Sequence, residues 1–303
     1  VGYSALENQN FTTATDTFNV AVGFKAGEAV TTGTFNTLIG GQAGDAITSG
    51  DNNVAVGYES LTTNILSDRN VAIGNFALAT HNQATSIDSF NIAIGHDAAV
   101  ALTTGVENVI IGGTAGDALT DADFNVAIGT AALTQDTLGS RSVAIGQEAL
   151  SAQNFTTATD VYNTAVGFTA GKALSTGVEN TLIGGRSGDA LNTGAENCVL
   201  GSQALGSDTK GNKTVAIGRA ALSSQNFTTS TDTFNTGVGQ AAGSLVTTGL
   251  ANTLIGAHAG LFSTTTDLST FVGAKAGQGI TGAKLTGDHN TCIGANAGLV
   301  LQG

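Results

Sequence analysis

A glycine preceded by a short apolar run returns along the chain at intervals of 17 or 21 residues. It stands at Gly2, Gly23, Gly40, Gly57, Gly74, Gly95, Gly112, Gly129, Gly146, Gly167, Gly184, Gly201, Gly218, Gly239, Gly256, Gly273 and Gly294. Three steps of 17 and one of 21 make a super-repeat of 72 residues: QNFTTATD at Gln9 recurs 144 residues on at Gln153, with QNFTTSTD at Gln225. Only the last step, Gly273 to Gly294, departs from the rhythm. So short a period rules out an ordinary globular core, because each unit must pack chiefly on the unit before and the unit after it. The 303 residues contain no proline, where about 5 percent is usual, so nothing interrupts a continuous backbone ladder.

Aligned on the glycine, the columns are uniform. The preceding residue is always Val, Ile or, once, Leu200; the residue four before is Asn in 13 of 16 complete motifs, with Ser142, Thr214 and Ser269 as the exceptions. Ala stands three after, replaced only by Ser60 and Ser187, and many units carry an aliphatic residue at plus seven, such as Val30 or Ile47, before a Thr/Ser-Gly turn. About five β-branched or small apolar residues between turn formers make a strand rather than a helix. The expected fold is all-β: a parallel β-solenoid of 17- and 21-residue coils, one coil stacked on the next. The glycines, Gly23, Gly40, Gly57 and Gly74 among them, mark a corner that needs positive φ or close backbone approach. Asn19, Asn36, Asn53 and Asn70 should stack their amides in a ladder at about 4.8 Å. Residues 1–303 read as one continuous solenoid region, a segment of a longer fibre polypeptide.

Strand side chains alternate between faces. With the aliphatic residue before the glycine and the Val/Thr two before that assigned to the coil interior, the residue between them faces out. That row includes Ala21, Leu38, Ala55, Ala72, Ile110, Ala144 and Leu182, and every member is apolar or small. Such a stripe on a soluble surface marks an interface, so copies of the chain are expected to pack along it, three around an axis being the simplest closed arrangement.

SVAIG at Ser142–Gly146, NVAIG at Asn70 and Asn125, and NTAVG at Asn163 resemble the repeated Asn-Ser-Val-Ala-Ile-Gly motif of YadA-like heads in trimeric autotransporter adhesins. NTAVGFTAG from Asn163 to Gly171 is similar to the repetitive fibres of tailed bacteriophages. The resemblance covers essentially the whole chain. It implies a left-handed parallel β-roll, homotrimeric, in an extracellular or virion fibre that binds a surface. The chain departs from the adhesin pattern in its longer coils and its 72-residue rhythm.

Ten Lys and Arg against 23 Asp and Glu, a net charge of −13, supply no footprint for nucleic acid, and no apolar run is long enough to span a membrane. GGQAGDA, GGTAGDA and GGRSGDA superficially match a calcium nonapeptide, but Asp45, Asp117 and Asp189 recur only every fourth coil, about 19 Å apart, too far to share an ion. His81, His96, His258 and His289 fall in unrelated columns and assemble neither a triad nor a zinc site. Cys198 and Cys292 sit in strand columns five coils apart, beyond disulfide reach. No enzyme activity, cofactor or metal is expected.

The four extra residues of every fourth coil are the candidate recognition feature, since solenoid insertions gather on one face. They carry the sequons at Asn10, Asn154 and Asn226, each followed at a common offset by an aromatic: Phe18, Tyr162 and Phe234, with Phe90 in the copy that lacks a sequon. These bumps either present aromatics or attached glycans to a surface, or the aromatics cap the widened end of the coil. An alternative function from another class is ice binding, suggested by threonines near Thr31, Thr48, Thr104, Thr176 and Thr248.

Overall fold

A computed structural model describes residues 1–280 and 287–299. The chain is an all-β parallel solenoid of about 16 turns, with no helix among the described residues. It divides into two compact units, Val1–Val143 with Asn154–Asp160, and Ala144–Gln153 with the chain from Val161 onward. In the first, the three-residue strands Val20–Val22, Thr37–Ile39, Val54–Val56, Val71–Ile73, Ile92–Ile94, Val109–Ile111 and Val126–Ile128 pair in parallel with their successors in chain order. In the second, the strands from Thr164–Val166 to Thr291–Ile293 repeat the pattern. Residues 281–286, in the longer final step of the repeat, lie outside the described residues.

Register comes from two stacked columns. Gly40 has φ +139°, and a Cβ added there would sit 2.2 Å from the carbonyl oxygen of Gly57 one coil on. Only glycine fits that approach. The Asn column is buried and works as a staple more than as an amide stack. Asn36 Nδ2 donates to the Gly50 carbonyl at 2.8 Å, while its Oδ1 accepts the backbone N–H of Asn53 at 3.0 Å. The second unit repeats this with Asn180, which donates to Gly194 O at 2.9 Å and accepts from Asn197 N at 3.1 Å. Direct amide-to-amide contacts are added in some coils, as from Asn70 Nδ2 to Asn53 Oδ1 at 3.2 Å. Each Asn thereby satisfies a buried turn carbonyl that would otherwise cost about 1–3 kcal/mol.

The interior and exterior of the strand are the reverse of the sequence expectation. Ala21, Leu38, Ala55, Ala72, Ile110, Ala144 and Leu182, expected between chains, point into the coil of a single chain and are buried there. The physical reason is the narrowness of the coil. The −2 residue shares the interior with the Ala at plus three and the residues at plus four and plus seven, and these trade volume. Leu38, Ile110, Leu182, Leu254 and Phe271 each share a coil with a glycine at plus four: Gly44, Gly116, Gly188, Gly260 and Gly277. A Cβ on Gly44 would lie 2.8 Å from Leu38 Cδ2, and one on Gly277 2.5 Å from the Phe271 ring. Where the −2 residue is Ala55, Ala72, Ala127, Ala144 or Ala216, the plus-four residue is a buried Leu: Leu61, Leu78, Leu133, Leu150 or Leu222. In these coils volume moves between the two positions. Coils that are small at both, Ala21 with Gly27 and Ala165 with Gly171, are filled from the adjacent coils, a Cβ on Gly27 lying 2.6 Å from Leu38 Cδ1 and one on Gly171 2.7 Å from Leu182 Cδ1, as close packing demands.

After the first coil, with Leu6 and the half-buried Gln9, the Leu-at-plus-four coils come in consecutive pairs, and their plus-seven residues are buried and polar: Asn64 with His81, Asp136 with Gln153, Asp208 with Gln225. Asp208 accepts Gln225 Nε2 at 2.7 Å and the backbone N–H groups of Gly211 and Phe227 at 3.1 and 3.0 Å. Gln225 also accepts from Asn235 at 2.9 Å, which ties the pair to the Asn column. Where His81 takes the Gln position, the carboxylate is replaced by the neutral Asn64, and His81 Nε2 meets Ser89 Oγ at 3.2 Å.

Burial lowers the His81 pKa to about 4, against a smaller opposite pull from the backbone of Thr103. Because the folded value lies below the ordinary 6.5, the unfolded chain binds the proton more readily between these values. Stability is therefore full above about pH 6.5 and falls by about 3 kcal/mol as pH drops to 4. Melting His81→Gln, the residue of the equivalent coils, beside the parent protein from pH 7 to 4 should show a markedly flatter dependence in the variant. Parallel curves would refute burial of a neutral imidazole.

Candidate interaction face

With the −2 residue inside, the −5, −3, −1 and +1 residues project outward from each coil. In each unit the −3 and −1 positions form two outward rows, Val, Ile and Thr with Cys198 at −3 and Val or Ile with Leu200 at −1, whose side chains are half-buried or exposed. Val20 is 48% and Ile73 37% exposed, and Val22, Ile39, Leu200, Ile255 and Ile293 are exposed as well. Cys198, also exposed, belongs to this outward −3 row.

The −5 column flanks these rows. Phe18, Phe90, Tyr162 and Phe234 are 66, 48, 54 and 59% exposed. They do not cap the coil. All four have φ between +49° and +55°, a left-handed conformation that costs a bulky residue about 1–2 kcal/mol. Inter-coil hydrogen bonds compensate elsewhere in the column, as from Phe35 N to Thr17 O at 2.7 Å. The residues that close the widened coil are Phe155 and Phe227, which are buried within the insertions themselves.

The column also carries charge. Arg69 pairs with Asp88 and lies 5.5 Å from the Phe90 ring centre; Lys213 pairs with Asp232 at 2.6 Å and lies 5.6 Å from Phe234. Arg141 pairs with Asp160 at 2.9 Å and covers Phe124 at 4.6 Å. The hydrogen bond to Asp232 and its charge raise the Lys213 pKa, and the bonds from Lys213 and Asn212 lower that of Asp232. These pairs are exposed and contribute little stability. Their effect is to orient aromatic rings along the rim of the aliphatic rows, once per super-repeat. Phe18 and Phe35 stack directly, with centres 5.3 Å apart.

Asn10, Asn154 and Asn226 are exposed at the insertion corners. A fourth Asn-X-Thr, Asn212-Lys213-Thr214, escapes a search for surface motifs and is locked: Thr214 is buried and Asn212 Oδ1 accepts Ala195 N at 3.0 Å. Of the threonines of the expected ice-binding row, Thr104, Thr176 and Thr248 are exposed, while Thr31 and Thr48 are turned to the coil ladder. Thr31 and Thr48 hydroxyls donate to Thr48 O and Ile65 O at 3.1 and 3.3 Å, and Thr104 donates to Asp121 at 2.6 Å. Among the described residues no group of three or more His, Cys, Asp or Glu is placed to hold a metal ion. None of the helices required for a membrane-crossing segment is found there either.

No family model matches this chain, nor does any curated protein or solved structure. The signal that would have located the exposed face was in the columns: the exchange of volume between −2 and plus four marks −2 as core and leaves −3 and −1 to face outward.

Proposed function

We propose that the chain is a non-enzymatic shaft or head segment of an extracellular fibre, in a virion tail fibre or a cell-surface appendage, built from copies of this chain packed through their strand faces. The observation that carries the reading is the outward aliphatic −1 row, beside a −3 row of Val, Ile and Thr, on strands whose inner residues already fill the coil. A stacked row of exposed aliphatic side chains on a soluble surface marks an interface, and an occupant is supplied by the same rows on a second and third copy, closed around an axis. The charge of −13 disfavours nucleic acid as the occupant. The aromatic rim and the exposed insertion corners, outside the aliphatic rows, are the parts available for contact with a host surface or its glycans. Ice binding has weaker support, since the Thr31 and Thr48 hydroxyls are engaged with carbonyls of the next coil and the outward threonines of the −3 row are interrupted by Cys198 and Val215.

Light scattering on the purified chain at micromolar concentration tests the reading. Three times the single-chain mass is expected, and a single-chain mass would overturn it.

A further inference from the structure

Asp45, Asp117 and Asp189 occupy one position in successive super-repeats, and the first two are answered from the next coil. Thr62 Oγ1 donates to Asp45 at 2.6 Å and Thr134 Oγ1 to Asp117 at 2.5 Å. The third has Gly206 where the threonine belongs. One coil further on, Ala220 replaces the Phe76 and Glu148 of the earlier copies. The lost side chains leave a cleft of about 360 Å³, bordered by Arg186, Asp189, Gln203, Ser207, Ser223 and Ser224. It lies on the turn segments after the column glycines, away from the strand face.

We infer that this cleft is a binding site for one neutral, hydroxyl-rich ring of monosaccharide size, such as a terminal sugar of a surface glycan. Its volume is at the small end of ligand pockets, roughly 300–1,000 Å³. The wall offers a carboxylate that accepts two hydroxyls, a guanidinium and an amide that donate to ring or hydroxyl oxygens, the Ser207 and Ser224 hydroxyls that do either, and Ser223 Oγ, which donates to Ser244 O at 3.4 Å and is left to accept. Apart from the Ala220 methyl it offers little to an apolar ligand. Asp189 repels a phosphate-like anion, and Arg186 repels a cation. A zwitterion would engage those two and leave the amide and the serines idle. With no threonine from the next coil to occupy it, the Asp189 carboxyl is left to the cleft; burial raises its pKa, while its own backbone N–H and Arg186 act in the opposite direction and favour the carboxylate.

The inference deepens the attachment part of the proposed function and does not require the copies to assemble. Saturation-transfer NMR on the full chain, with glucose, galactose, mannose and N-acetylglucosamine each at millimolar concentration, tests it. Transfer to at least one sugar is expected from the parent protein. Gly206→Thr restores the residue of the other two copies at a position whose φ is outside the left-handed region, with its Cβ 3.3 Å from the Gln203 carbonyl and 3.5 Å from Asp189 Oδ1. It should keep the fold and weaken binding at least tenfold. Asp189→Asn, which keeps the shape, should weaken it severalfold. No transfer to any of the four sugars, or equal transfer in parent and Gly206→Thr, would overturn the site. Neither result bears on the oligomeric mass, so a failed sugar site and a failed assembly are told apart.

Discussion

Gly40→Ala should unfold the coils around it, lowering stability by about 4 kcal/mol or more, a loss in the exceptional class for a single methyl group. Two costs add. At φ +139° an alanine is forced into a region that is essentially glycine's alone, a strain of about 1–3 kcal/mol. Its Cβ also falls 2.2 Å from the Gly57 carbonyl oxygen, and overpacking of this kind costs about 1–3 kcal/mol where the neighbour yields. Here it cannot yield freely, because Gly40 N is bonded to Val22 O and Gly57 N to Ile39 O, both at 2.8 Å. Gly113 is the control: nothing lies within 4 Å of a Cβ built there, and its φ is outside the left-handed range. Urea denaturation followed by circular dichroism should separate Gly40→Ala widely from the parent protein and leave Gly113→Ala within about 0.5 kcal/mol. Equal midpoints for the two variants would remove the stacked-glycine account of register.

The solenoid was legible because stacking turns a sequence column into a spatial column. The spacing of Gly23, Gly40 and Gly57 predicts three neighbouring coils, and the structure pairs Val20, Thr37 and Val54 in that order. The inside and outside of the strand were harder to read, since hydrophobic residues are not confined to interiors and both faces here are apolar. Val22 and Ile39 look more core-like than Ala21 and Ala55 until the partner column is considered. Leu38 with Gly44 and Ala55 with Leu61 then reveal which positions share a volume. The two insertion aromatics resist the same treatment. Phe155 and Tyr162 are seven residues apart with a left-handed residue, Tyr162 itself, in the turn; such residues reset the strand alternation, so spacing does not tell which ring is buried. The Gly206 cleft is legible only by comparing repeats, where one missing threonine stands out against Thr62 and Thr134.

The corrected strand faces make opposite demands on neighbouring residues, and lysine substitution discriminates between them. Ala72→Lys places an ammonium inside a closed coil beside Leu78 and Ala77, both buried. With no counter-charge the penalty is several kcal/mol, and β-structure should be lost from the circular dichroism spectrum. On the outward row a lysine extends into water, so within one chain it costs at most about 1 kcal/mol. Replacing the exposed Ile39, Ile73, Leu200 and Ile255 together by lysine should leave the β-spectrum intact. In a three-fold assembly closed through these rows, the same substitutions would bring twelve like charges into an apolar seam, each desolvated and unpaired. The quadruple variant is therefore expected to be folded and to scatter light as a single chain where the parent protein scatters as three. A quadruple variant that keeps the parent's oligomeric mass would move the interface off the strand face. Loss of β-structure in the quadruple variant but not in Ala72→Lys would reverse the assignment of the two faces.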